Sequence, residues 1–110
     1  MANQPNIPYD MAKVLPLKIL KCYAVTLSNT TPASLLTGGP SIFPKALLIK
    51  AAEANAASVF ICNSSDTDTT AGFQLPANTD ESVLIGVNHN NIPYGIAASN
   101  AEKMRVIALG

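Results

Sequence analysis

KALLIKAAEANAASVFICNSSDTDTTAGFQLPANTDESVLIGVNHNNIPYGIAASNAEKMRVIAL, residues 45–109, is the stretch that decides the fold. Apolar runs of strand length alternate with polar turns along all of it. Residues 46–51 (ALLIKA), 58–62 (SVFIC), 82–87 (SVLIGV) and 104–109 (MRVIAL) each read as a strand. Apolar residues recur at every second position, the period of a pleated strand. Leu47 and Ile49 share a face, as do Val83, Ile85 and Val87. Met104, Val106 and Ala108 occupy one face of the last run, and Ile107 and Leu109 the other. Gly72–Leu75 is a shorter piece that Pro76 ends. Ile92, Tyr94 and Ile96 alternate, but Pro93 lacks a ladder donor and predicts an edge position. The Ala-rich residues 51–57 have helix propensity but are too few to nucleate a helix alone, so a turn is expected. Strands every ~8–12 residues without a convincing helix predict a β-sandwich or a small barrel.

Upstream, residues 17–27 (LKILKCYAVTL) predict one more strand. Ile19, Tyr23, Val25 and Leu27 fall on one face, interrupted by Lys21. Leu20, Cys22 and Ala24 fall on the other. Both faces are partly apolar, as in a strand covered on both sides. Residues 28–44 predict a long loop punctuated by Pro32, Gly38, Gly39, Pro40 and Pro44. Its apolar Leu35, Leu36, Ile42 and Phe43 sit awkwardly in a solvated loop. They form either a flap over the core or a contact patch. Pro5 and Pro8 deny helix to the polar N-terminus, so residues 1–14 read as an extended arm, one that either lies on a neighbouring subunit or is a frayed terminus. The remainder, 15–110, reads as one domain.

The bulk numbers agree with one folded domain. The chain has 110 residues, enough for a single core. It is 48% hydrophobic and only 13% charged. That charged share is about half of the usual ~25%. With the high hydrophobic share it excludes a disordered chain, and the surface is either covered by Asn, Ser and Thr or, the favoured reading, buried in an assembly. Formal net charge is zero and Lys and Arg are scattered. Counterion displacement from a phosphate backbone needs clustered positive charge, so no direct nucleic-acid partner is expected. No basic stretch precedes an apolar core at the N-terminus, and no apolar run approaches the ~20 residues of a membrane span. A soluble protein made in a cytoplasm, without a membrane partner, is the expectation. Cys22 and Cys62 lie in apolar runs and are expected to be reduced and buried. A disulfide between neighbouring strands is the alternative.

No constellation of catalytic residues emerges. His89 is the single histidine. With Cys22 and Cys62 it offers at most three candidate zinc ligands, without ligand spacing. No G-x-S-x-G surrounds a serine, and Ser28, Ser64 and Ser65 sit in plain turns. Asp66 and Asp68 alternate as in a calcium loop, but the turn glycine and the bidentate Glu are missing. Asp80 and Glu81 are adjacent, so on an extended chain they point to opposite faces. No phosphate-binding glycine pattern occurs. Neither an enzymatic activity nor a cofactor nor a metal is expected.

The order of elements in the last two-thirds of the chain resembles the small β-rich virion proteins of tailed bacteriophages. Leu47, Ile49, Asn55, Val59, Ile61, Gly72, Leu75, Val83, Ile85, Ile92 and Tyr94 stand where that loose pattern would put them. Cys62 departs from it where such proteins commonly have Gly. Pro76, Ala77 and Asn78 replace a Gly-containing turn. The resemblance implies a jelly-roll-like sandwich acting as a capsid decoration or cement protein on the virion surface. Its partners would be the major capsid protein and two further copies in a homotrimer. Ile7, Tyr9 and Met11 of the arm and Leu35, Leu36, Ile42 and Phe43 of the loop are the expected contacts. A tail- or fibre-associated module, host- or carbohydrate-binding, is the alternative that the same resemblance allows.

Overall fold

The computed structural model describes residues 17–65, 72–77 and 80–110. The arm 1–14, with Ile7, Tyr9 and Met11, lies outside the described residues, as do Asp66 and Asp68. The described chain is all-β, with eight strands in two four-stranded antiparallel sheets. They are β1 (Ile19–Thr26), β2 (Ala33–Ser34), β3 (Ala46–Ala51), β4 (Val59–Cys62), β5 (Phe73–Leu75), β6 (Ser82–Gly86), β7 (Tyr94–Ala97) and β8 (Lys103–Leu109). The first sheet has the order β1-β8-β3-β6 and the second β2-β7-β4-β5. Each strand of the first half therefore pairs with its mirror in the second half: β1 with β8, β2 with β7, β3 with β6 and β4 with β5. These four pairs form an antiparallel ribbon whose segments alternate between the two sheets.

The core lies between the sheets. Period-two alternation delivers Leu47, Ile49 and Ala51 from β3 and Met104, Val106 and Ala108 from β8, all buried. Val59, Ile61 and Leu75 meet them from the second sheet. Gly95 of β7 faces inward where a side chain would run into Leu27, Leu35 and Met104.

Four expectations change. Ile19 is not on the inner face but 65% exposed. A register shift between Ile19 and Lys21 inserts one residue into β1, and a one-residue slip sends a side chain to the opposite face. The loop 28–44 is not strand-free, because Ala33–Ser34 pairs with β7. That pairing makes β7 an interior strand, whereas Pro93 had suggested an edge. Pro93 lies just ahead of β7 and costs no ladder bond, and its carbonyl accepts from Leu35 N at 3.0 Å. Cys22 is exposed instead of buried, and neither Cys22 nor Cys62 is in a disulfide.

Candidate binding surface

The loop that closes the ribbon between β2 and β3 is a flap, anchored by Leu35. Leu35 has no exposed surface and belongs to the core cluster. The Tyr23 hydroxyl donates to the Leu35 carbonyl at 2.6 Å, and burial raises the Tyr23 pKa to about 12. Leu36 and Phe43 are half-buried and pack against the same cluster. The structure thus moves Leu35 from the contact patch to the core. Ile42 stays outside, 67% exposed. Phe43 also stacks on His89, with ring centroids 4.0 Å apart and planes tilted by 33°. His89 thereby ties the turn 88–91 to the flap. Among the described residues no group of three His, Cys, Asp or Glu side chains could hold a metal ion.

Because all pairings are antiparallel, the connections fall alternately at two ends of the sandwich. One end holds the turns 52–58 and 98–102, the exit from β5 and the entry to β6, and it is polar and tightly bonded. There the Asn55 side chain reads Lys103 as a neighbouring strand would. Its Nδ2 donates to the Lys103 carbonyl at 2.7 Å and its Oδ1 accepts the Lys103 N–H at 2.9 Å. Glu102, also buried, accepts from Ala56 N at 3.2 Å and from Ser99 Oγ at 2.8 Å. Both buried side chains thus have partners, as burial demands. On the surface beside them, Asn100 Oδ1 accepts from Asn29 N at 3.0 Å.

The other end holds the flap, the exit from β4, the entry to β5, the turn 87–93 and the chain around Lys18 and Gly110. Ile19, Ile42 and Phe73 are three of the four exposed large apolar side chains among the described residues. All three stand at this end, and Phe73 is itself 58% exposed.

The fourth, Leu84, lies on the outer face of the first sheet and is 44% exposed. The register arranges that face in rows. Ile19, Leu109, Ala46 and Gly86 lie opposite one another across the four strands. Cys22, Ile107, Leu48 and Leu84 form the next row, and Ala24, Arg105, Lys50 and Ser82 the third. Two apolar rows are thus bordered by a basic one. A groove of about 430 Å³ runs over the second and third rows, with Asp80 on its rim. Arg105 pairs with Glu53 at 2.7 Å, and Lys50 lies 3.9 Å from Asp80. The Glu53 carboxyl is held below its ordinary pKa by its own backbone N–H and by Arg105. The expected contacts did not include this face, although Cys22 and Ala24, and Ile107 and Leu109, had read as second apolar faces. The missing signal was the register that aligns them.

No family model, characterised protein or solved structure matches this chain.

Proposed function

We propose that this chain is a non-enzymatic structural protein of a tailed-bacteriophage virion, a decoration or cement protein of the capsid. In this reading the sandwich is a jelly roll. The observation that supports it most is the strand order β1-β8-β3-β6 against β2-β7-β4-β5, the order of a rolled ribbon, a form in which viral capsid and lectin domains are built. The resemblance of residues 45–109 to small virion proteins supports the same reading, as does the low charge of the chain.

The contact would be the apolar end. Ile42, Ile19 and Phe73 would be buried at a junction of major capsid subunits, with Leu36 and Phe43 shaping the flap beneath. A flat, moderately apolar patch repeated by cyclic symmetry suffices for such attachment. Three copies around one junction would stiffen the shell. The lectin variant of the same fold has less support. Sugar sites stack on exposed aromatic rings, and aromatics make up only 5% of the chain, with no Trp.

The test is co-sedimentation of the purified protein with undecorated capsids, with circular dichroism as the folding control. Saturable binding at a fixed number of copies per capsid is the expected result. No binding at micromolar concentration, with the fold intact, would overturn the reading. Light scattering behind a sizing column should give three chains per particle.

A further inference from the structure

We propose that β6 is an interaction edge whose occupant is β6 of a second copy, paired antiparallel about a two-fold axis at Leu84. The contact lies at the edge of the first sheet and is independent of whatever the apolar end binds.

The two sheets end in four edge strands, β1 and β6 in the first and β2 and β5 in the second. Edge strands present unpaired N–H and C=O groups, and proteins blunt them by shortness, lysine, proline or a bulge. Three of the four are blunted. β2 has two residues and follows Pro32, and β5 has three and is ended by Pro76. β1 carries Lys21 and the register shift beside it. β6 has none of these devices. Its five residues, SVLIG, include no charge and no proline, and its register with β3 is unbroken from Ser82 to Gly86. Among the described residues no strand lies on its far side.

The ladder shows which backbone groups point outward. Val87 N donates to the Lys45 carbonyl at 2.9 Å. Backbone direction alternates along an antiparallel strand, so Ile85 and Val83 also turn their polar groups toward β3. Ser82, Leu84 and Gly86 turn theirs away from it.

Those three positions are symmetric about Leu84, and that symmetry selects the occupant. A second β6 running antiparallel sets Leu84 opposite Leu84 and Ser82 opposite Gly86. Each outward N–H then meets an outward carbonyl, an isologous contact that needs only the same strand on both chains. On the inner side Val83 comes opposite Ile85 of the second copy. Both are half-buried and packed against the core, and such β-branched neighbours stabilise a sheet. On the outer side the apolar row Cys22, Ile107, Leu48 and Leu84 continues into the same row of the second copy. The flanking acids meet no like charge, because Glu81 comes opposite Val87 and Asp80 opposite Asn88. Moving the axis to Val83 would set Glu81 opposite the apolar Ile85. Moving it to Ile85 would set Ser82 opposite Asn88, which already bridges to Asn91. One strand per partner is a small contact, of the class of weak encounters. It leaves particles separate at micromolar concentration and closes where copies are crowded.

The full-length chain tests this without capsids. Between micromolar and millimolar concentration, the amides of Ser82, Leu84 and Gly86 should gain protection from hydrogen exchange. Those of Val83 and Ile85, already bonded to β3, should not change. Leu84→Pro removes only an outward N–H, a change that an edge strand accepts. It should lower the association constant, read from sedimentation, about tenfold or more. Leu84→Lys sets two ammonium groups against each other across the axis and should do the same. Leu84→Cys, in a chain with Cys22→Ala and Cys62→Ala, should be bridged between two chains by a short bifunctional maleimide, since such paired positions lie about 5.5 Å apart. Cys22 in a Cys62→Ala chain is exposed on the same face but three strands from β6, and should not be bridged. Equal bridging from positions 22 and 84 would overturn the proposal. So would an unchanged association constant in both Leu84 variants with the circular dichroism of the parent. Protection of the same amides by capsids but not by concentration would give the edge to a strand of another protein, which equally refutes the pairing.

Discussion

Tyr23 shows how one side chain fixes a flap. It stands on the inner face of β1 and reaches the Leu35 carbonyl at 2.6 Å. Tyr23→Phe keeps the ring in the core and removes only the hydroxyl. The expected loss is about 1 kcal/mol, read by urea unfolding, with more rapid exchange of the flap amides. The same hydroxyl gives the fold an alkaline limit. Burial raises its pKa to about 12, above the ~10 of an exposed tyrosine. Stability from the neutral hydroxyl is therefore complete below about pH 10 and is lost as pH rises from there through about 12. Tyr23→Phe should lose that part of the alkaline transition. At the opposite end, Asn55→Ala would take the Asn55 acceptor from the Lys103 N–H, while the Lys103 carbonyl keeps the Ala52 N–H. A cost of about 1–3 kcal/mol is expected, measured as a lower unfolding midpoint at an unchanged m-value.

Among the elements, β5 depends on a single glycine. It has three residues and one partner strand, β4. Gly72 leads into it so closely that a Cβ there would stand 2.5 Å from the Ile61 carbonyl oxygen. Gly72→Ala must push β5 from β4, at about 1–3 kcal/mol for overpacking. Its amides should exchange faster while those of β3 and β8 do not change. The β7–β8 turn offers the reverse case. Ala101 holds φ +70°, a left-handed conformation that costs an L-residue roughly 1–2 kcal/mol. Ala101→Gly should raise the melting temperature, although chain entropy takes back part of the gain. These elements also show what could be read from the sequence. β3 and β8 could be, because a buried inner face imposes a period of two over six or seven residues. β2 could not, because two residues carry no period and its pairing is with a strand about sixty positions away. The inward turn of Leu35 was invisible for the same reason, and the exposure of Ile19 depended on a bulge that no residue type announces. Of the candidate surface, Ile42 could be read as an apolar residue in a loop. The rows on the first sheet could not, since they exist only once four separate strands are in register.

At the scale of the whole molecule, the two ends of the sandwich divide their tasks. The end at Asn55 and Glu102 commits its polar side chains to its own turns, each with a named partner. The end at Ile42 leaves apolar side chains in water. This asymmetry separates a stability defect from a binding defect. Leu35→Ala should cost about 2–5 kcal/mol, as large-to-small changes in a core do, and should weaken every function by unfolding the flap. Ile42→Ser, further along the same loop, removes a side chain that is mostly in solvent. Its effect on folding should stay within about 0.5 kcal/mol. If the apolar end is the attachment surface, its energy should be concentrated in a few residues, as at other interfaces. Ile42→Ser should then weaken co-sedimentation with undecorated capsids about tenfold or more, equivalent to at least about 1.4 kcal/mol. Ile42→Ser with Phe73→Ser should abolish it at the same protein concentration. Glu53→Gln, at the polar end, is the matched control and should bind as the parent does. Equal binding by the parent, the Ile42→Ser chain and the double variant, all with unchanged circular dichroism, would move the attachment surface off this end. A loss in Glu53→Gln alone would place it at the other.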